Sequence, residues 1–145
     1  MAARISDKAA IVGIGATEFS KDSGRSELAL AAEAVKKALD DAGLKPADVD
    51  GMVTFTIDQN EEVDVARAVG CGDLKLYSRV PYGGGAATGT LLQAAMAVAT
   101  GVAETVVCYR ALNGRSGQRY SSGVSGNLIT GSAAEPSAYD DLPGG

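Results

Sequence analysis

The residues best placed to do chemistry lie in one run, Tyr82, Gly83, Gly84, Gly85 and Ala86, just ahead of an alanine-rich helical stretch. A glycine-rich turn feeding a helix leaves the first backbone N–H groups without partners and places the positive dipole end there. Such a tip can hold a carbonyl oxygen or an oxyanion. Tyr82 could donate a proton, although a tyrosine that packs the turn is the commoner arrangement. Other reactive groups are sparse. Cys71 sits in a Gly-Cys-Gly turn after a helix, where nothing lowers a thiol pKa. Cys108 lies in a Val-Val-Cys-Tyr run and reads as a small buried hydrophobe. The acids Asp58, Glu61, Glu62 and Asp64 suggest a cation site, but the spacing lacks the pattern of a calcium loop. They coincide with the first turn of a short helix, where acids favour the dipole, so a solvated helix start is the reading taken. Histidine is absent and there are two cysteines. That removes Ser-His-Asp and Cys-His catalysis, and no metal site is expected.

The elements that must position this run alternate strand and helix. Residues 8–14 form a short apolar run suited to a buried strand. Gly13-Ile14-Gly15 imitates the opening of a dinucleotide fingerprint, but Glu18 occupies the place of the third glycine, so a tight turn is expected instead. Ser26 caps a long helix with an apolar stripe of Leu28, Ala31, Ala32, Val35, Ala38, Leu39 and Ala42. Gly43 stops it and Pro46 prevents its resumption. Residues 51–57 alternate Val53, Phe55 and Ile57 with Thr54 and Thr56, which predicts a strand covered on one face. A short helix over 61–69 follows. A third strand over 75–80 comes next, with Leu74, Leu76 and Val80 inward. The helix body over 91–100 is apolar almost all round and should be buried on most sides. A fourth strand spans 105–110. The pattern βαβαβαβ predicts an α/β chain with a parallel or mostly parallel sheet. Ligands of such sheets bind beyond the strand carboxyl ends, which brings the 83–85 turn towards the 113–120 loop. Arg110 and Arg119 become candidate substrate ligands with Tyr82 and the glycines.

Composition narrows the classes further. Thirteen basic against eighteen acidic residues give a net charge of −5 without a basic cluster, so no nucleic-acid footprint is present. No apolar run is long enough to cross a bilayer, and the first residues lack the apolar core of a signal peptide. The cysteine usage fits a reduced, cytoplasmic protein. Beyond residue 113 the chain is rich in glycine and serine and shows no period.

The turn with Ala87-Thr88-Gly89, the small-residue helix, Gly101 and the run Val102 to Val107 resemble the thiolase superfamily. The segment from Tyr109 to Tyr120 is similar to the lipid-transfer-protein or sterol-carrier-protein type of thiolase-like branch, which includes steroid side-chain aldolases. The resemblance implies a thiolase-like fold of which this is an incomplete N-terminal half. It implies a partial domain over 1–112, and over 113–145 the truncated start of a loop region. In thiolases the nucleophilic cysteine opens the helix; counting back from Gly101 puts that position at about Gly84, which has no side chain to acylate.

The implied activity is therefore retro-aldol cleavage of a steroid-type β-hydroxyacyl-CoA by the intact relative. The CoA thioester is the substrate, and no further cofactor is implied. Gly83, Gly84, Gly85 and Ala86 would hold the thioester oxygen, with acid and base tyrosines supplied by the second half. The resemblance also implies a homodimer through Tyr77, Ser78, Arg79, Val80 and Pro81, and a small zinc-ribbon and OB-fold partner. Without its last strand the sheet keeps an open edge, and helix 91–100 an uncovered face, so the chain by itself should be poorly stable and inactive, activity belonging to the longer relative. Two other readings stay open: a thiolase-type acyltransferase, and a non-catalytic subunit that binds acyl-CoA, lipid or an active homologue. An unrelated α/β domain is the remaining option.

Overall fold

The computed structural model describes residues 5–56, 58, 60–81 and 85–114. Helix α1 (Glu27–Ala42) starts where Ser26 Oγ accepts the Ala29 N–H at 3.2 Å. It ends at Gly43, whose φ of 68° is left-handed, with the Leu44 N–H returning to Leu39 O. Both ends were legible from residue type. A 3-10 turn (Pro46–Asp48) then leads to strand β1 (Gly51–Phe55), helix α2 (Glu62–Val69), strand β2 (Leu76–Val80), helix α3 (Ala86–Thr100) and strand β3 (Val106–Cys108).

The sheet is parallel throughout, in the order β2-β1-β3, with Gly51 facing Leu76 on one side and Val106 on the other. The α/β class and the parallel sheet agree with expectation. Strand β1 does not have one covered face: all five residues are buried. It is flanked by a strand on each edge, with helices packed over both faces, so the threonine alternation misled. Met52 joins the core formed by Leu30, Ala31, Val35, Leu39, Val65, Ala66 and Val69 of α1 and α2. Helix α3 lies on the other face, where Ser78 Oγ donates to Gln93 Oε1 at 2.6 Å and Cys108 Sγ meets Thr90 O at 3.5 Å.

Two expectations need correction. Residues 8–14 are not a strand. They run along α1 as irregular backbone, leaving Ile11, Val12 and Ile14 exposed, Ile14 by 77%. The glycines explain the track. A Cβ on Gly13 would lie 2.3 Å from Ala38 O, and one on Gly15 would lie 2.2 Å from Ala34 O. Gly13 and Gly15 thus serve close approach to a helix rather than a phosphate, and Ile14 N–H is fixed by Asp41 Oδ2 at 2.9 Å. Secondly, α3 is not buried on most sides. Ala97 and Thr90 face the sheet, whereas Leu91, Leu92 and Met96 are exposed, Leu92 by 55%. Nothing among the described residues forms a layer over that side, in keeping with the uncovered face anticipated for this helix.

Candidate functional site at the carboxyl edge of the sheet

Parallel pairing brings Phe55, Val80 and Cys108 to the same edge. Arg110, just beyond β3, stacks its guanidinium 5.5 Å from the centre of the Phe55 ring. The contact lets an exposed cation sit on an apolar surface with its N–H fork free to turn outward. Helix α3 opens at the same edge, following β2. Its N-cap, Gly85, offers no side-chain cap, and its first turn holds no acid, so the dipole end is uncompensated. Gly85 has φ −67°, and a Cβ there would meet nothing within 4 Å, so neither conformation nor crowding demands glycine at this position. Thr88 Oγ1 donates back to Gly85 O at 2.9 Å.

Next to this edge lies a cavity of about 420 Å³, bounded by Gly15, Thr17, Phe19, Leu30, Arg110 and Leu112 among others. The 110–113 segment that forms one wall is held firmly. Asn113 Nδ2 donates to Arg25 O at 2.7 Å, and Asn113 N–H donates to Glu27 Oε1 at 3.1 Å. From the other side, Asp58 Oδ2 accepts the Ala111 N–H at 2.5 Å.

Asp58 and Glu62 are therefore not part of a solvated helix start. Asp58 is 1% exposed, and Glu62 is buried too. Asp58 Oδ1 accepts both the backbone N–H and the side-chain amide of Asn60 at 2.9 Å. Glu62 takes Arg79 Nε and Nη2 at 3.3 Å each, while Arg79 also donates to Asp58 O and Asn60 O. A buried carboxylate persists only when its lone pairs are matched, and here they are. Glu61 and Asp64 do stay at the surface. Among the described residues no cluster of three or more acids, cysteines or histidines could hold a metal. The linkage of Asp58 to Ala111 escapes sequence reading; its one hint is an arginine on the neighbouring strand with no acid beside it.

The thiols are poor nucleophiles. Burial pushes both Cys71 and Cys108 up from the ordinary thiol value. Tyr109 is no general base either. Burial, with Asp58 and Glu62 nearby, pushes its phenol far up, and its hydroxyl donates to Asn60 O at 3.0 Å. Of the residues anticipated as ligands, Gly85, the backbone of Ala86 and Arg110 stand at one edge, whereas Tyr82, Gly83, Gly84 and Arg119 lie outside the described residues. Of the residues anticipated at a dimer interface, Tyr77 is 65% exposed on β2, an edge strand among the described residues, and Pro81 is exposed as well. Ser78 and Arg79 bond within the chain, and Val80 packs where a Cβ on Gly89 would reach it at 3.2 Å.

This architecture defines a class. The chain superposes on an SCP2-thiolase-like protein type 1 from Mycobacterium smegmatis with a TM-score of 0.56 at 29% identity, over 68% of this chain and 22% of that one. It is a thiolase-like α/β fold. No family model matches the chain. Within the class, a solved structure titled Ltp2-ChsH2(DUF35) aldolase matches with a TM-score of 0.73 at 71% identity, over 74% of this chain and 28% of that one. A steroid side-chain-cleaving aldolase of Thermomonospora curvata is 65% identical over 131 residues, 90% of this chain and 33% of that protein. A 17-hydroxy-3-oxo-4-pregnene-20-carboxyl-CoA lyase of Mycobacterium tuberculosis is 66% identical over 116 residues, 80% of this chain and 30% of its own length. The chain is similar to the steroid-aldolase-like branch of the thiolase-like proteins, and it spans about a third of the length of the curated relatives it matches.

Proposed function

We propose that this chain is the N-terminal part of a lyase that cleaves a steroid-type β-hydroxyacyl-CoA by a retro-aldol reaction. The observation that carries the reading is identity of 65% and 66% to proteins named as a steroid side-chain aldolase and a CoA lyase. In the reaction a base removes the β-hydroxyl proton, the bond between the α and β carbons breaks, and its electron pair passes to the thioester as an enolate. The backbone N–H groups that open α3 would hold the enolate oxygen, a role that needs no side chain. Arg110, free on one side of its stack, would meet an anionic group of the CoA. Tyr109 and both thiols are unsuited as acid or base, and the resemblance assigns those roles to tyrosines of the second half.

A DUF35-type partner fits the same reading, because the solved aldolase of 71% identity carries one in its title. Dimerisation through the free edge of β2 and a cytoplasmic setting go with it. The acyltransferase alternative has no activated cysteine among the described residues to support it. The non-catalytic alternative predicts acyl-CoA binding without turnover.

The test begins with the intact mass of the protein expressed from its native gene, expected well above 14.6 kDa. The product, with its DUF35-type partner, is then assayed for release of a short acyl-CoA and a steroid ketone. A mass of 14.6 kDa overturns the fragment reading. Tight acyl-CoA binding with no cleavage turns the assignment to the non-catalytic subunit.

A further inference from the structure

We infer that Asp58 is the positioning residue of the substrate edge, setting Arg110 through the backbone of Ala111. The inference rests on the carboxyl edge being where the acyl-CoA binds. Asp58 leaves the end of β1 by a turn in which its own N–H donates to Phe55 O at 2.9 Å. Phe55 is the residue under the Arg110 guanidinium. The Asp58 side chain reaches the residue next to Arg110 in sequence, and Arg79 holds its carbonyl from behind at 2.9 Å. Arg110 is thus fixed at two points, its ring platform and the peptide that follows it, and both are anchored on the turn between Phe55 and Asp58. Arg110 itself carries no acid partner among its described contacts, so its direction depends on this support rather than on an ion pair.

The chemistry of Asp58 suits that task and no other. Its two oxygens accept three N–H groups, those of Ala111 and the two of Asn60. Buried, bonded through both oxygens and not among the residues that line the cavity, it does not act on substrate. An asparagine would present an amide N–H where only donors arrive, and an alanine would leave the buried Ala111 N–H unmatched.

The experiment uses the full-length protein with its partner and has two readouts. By amide hydrogen exchange, Asp58→Ala is expected to raise exchange about tenfold across 110–113 while β1 amides stay as they are. Asp58→Asn is expected to give a smaller rise confined to the same residues. By kinetics, Asp58→Asn raises KM for the acyl-CoA with kcat within about twofold, and adds nothing to Arg110→Gln, since residues acting as a unit are not additive. If Asp58→Ala does not fold, the Asp58→Asn exchange pattern decides. Exchange at 110–113 equal to wild type, a rise shared by β1, or a KM effect that adds in full to Arg110→Gln overturns the proposal. Failure of the wild-type protein to turn over or bind acyl-CoA overturns the proposed function instead, and the exchange result still decides the positioning claim.

Discussion

Asp50 shows how one side chain closes a joint between distant parts of the chain. Its carboxylate accepts the N–H groups of Glu104 and Thr105 and pairs with Lys75 at 3.0 Å, tying the starts of all three strands together. Burial alone would raise its pKa, but the Thr105 N–H, Lys75 and the Glu104 N–H outweigh that and hold the carboxyl below its ordinary value of 3.8. A depressed carboxylate stabilises the fold in full above its unfolded value and loses that contribution as pH falls through the folded one. Acid unfolding should therefore set in below about pH 4, and Asp50→Asn should flatten that limb and lower stability at neutral pH. An unchanged pH–stability curve would remove Asp50 from this role. Gly15 makes a second prediction at this scale. Because a Cβ would strike Ala34 O at 2.2 Å, Gly15→Ala should cost about 1–3 kcal/mol by urea unfolding. A neutral effect would mean that the 11–19 segment does not keep this track along α1.

Elements differ in how openly the sequence announces them. The existence and both ends of helix α1 were readable, because Ser26, the apolar stripe and Gly43 each act locally, but the stripe omitted Leu30, which is buried in the core. The φ of 68° at Gly43 makes Gly43→Ala cost about 1 kcal/mol, measurable as a shift in the thermal midpoint. The candidate edge was readable in outline: parallel strands put α3's start and Arg110 together, as spacing implied. What was illegible depends on partners far along the chain. Residues 8–14 carry a strand-like composition, yet pair with no strand among the described residues and lie on a helix instead. Asp58 and Glu62 look like ordinary helix-start acids until Ala111 and Arg79 arrive from elsewhere. Helix α3 gives the sharpest element-scale prediction. The double change Leu92→Gln with Met96→Gln should alter the stability of the 145-residue chain by less than about 0.5 kcal/mol, since both side chains are already exposed. If, as proposed, a longer protein covers this face, the same change there should cost about 2 kcal/mol or more. Equal costs in the two settings would show the face to be solvent-facing throughout.

At the scale of the whole molecule, the exposed apolar side chains among the described residues include two groups, Ile11, Val12, Ile14 and Phe19 in one and Leu91, Leu92 and Met96 in another. Patches of this kind mark surfaces that meet another layer of protein. The 145-residue chain on its own should bind a hydrophobic dye and self-associate as concentration rises, measured by light scattering. On the proposed reading, a longer protein bound to a DUF35-type partner should do neither. A clean monomer that leaves the dye dark would contradict the view that these faces are covered in the longer protein. No helix among the described residues is long and apolar enough to cross a membrane, so the patches are not spans.

The order of the strands also sets a timetable. The central strand is made first, and Gly51 must wait for Leu76 on one edge and then Val106 on the other. During synthesis β1 leaves the ribosome with Thr54 as its one polar side chain, and it stays without its second neighbour until α3 and β3 have been translated. Parallel pairing between distant segments is slow and leaves such strands open to wrong partners. A nascent chain of this design depends on chaperone cover from the moment β1 emerges, and a ribosome stalled before Val106 would release a species prone to aggregate.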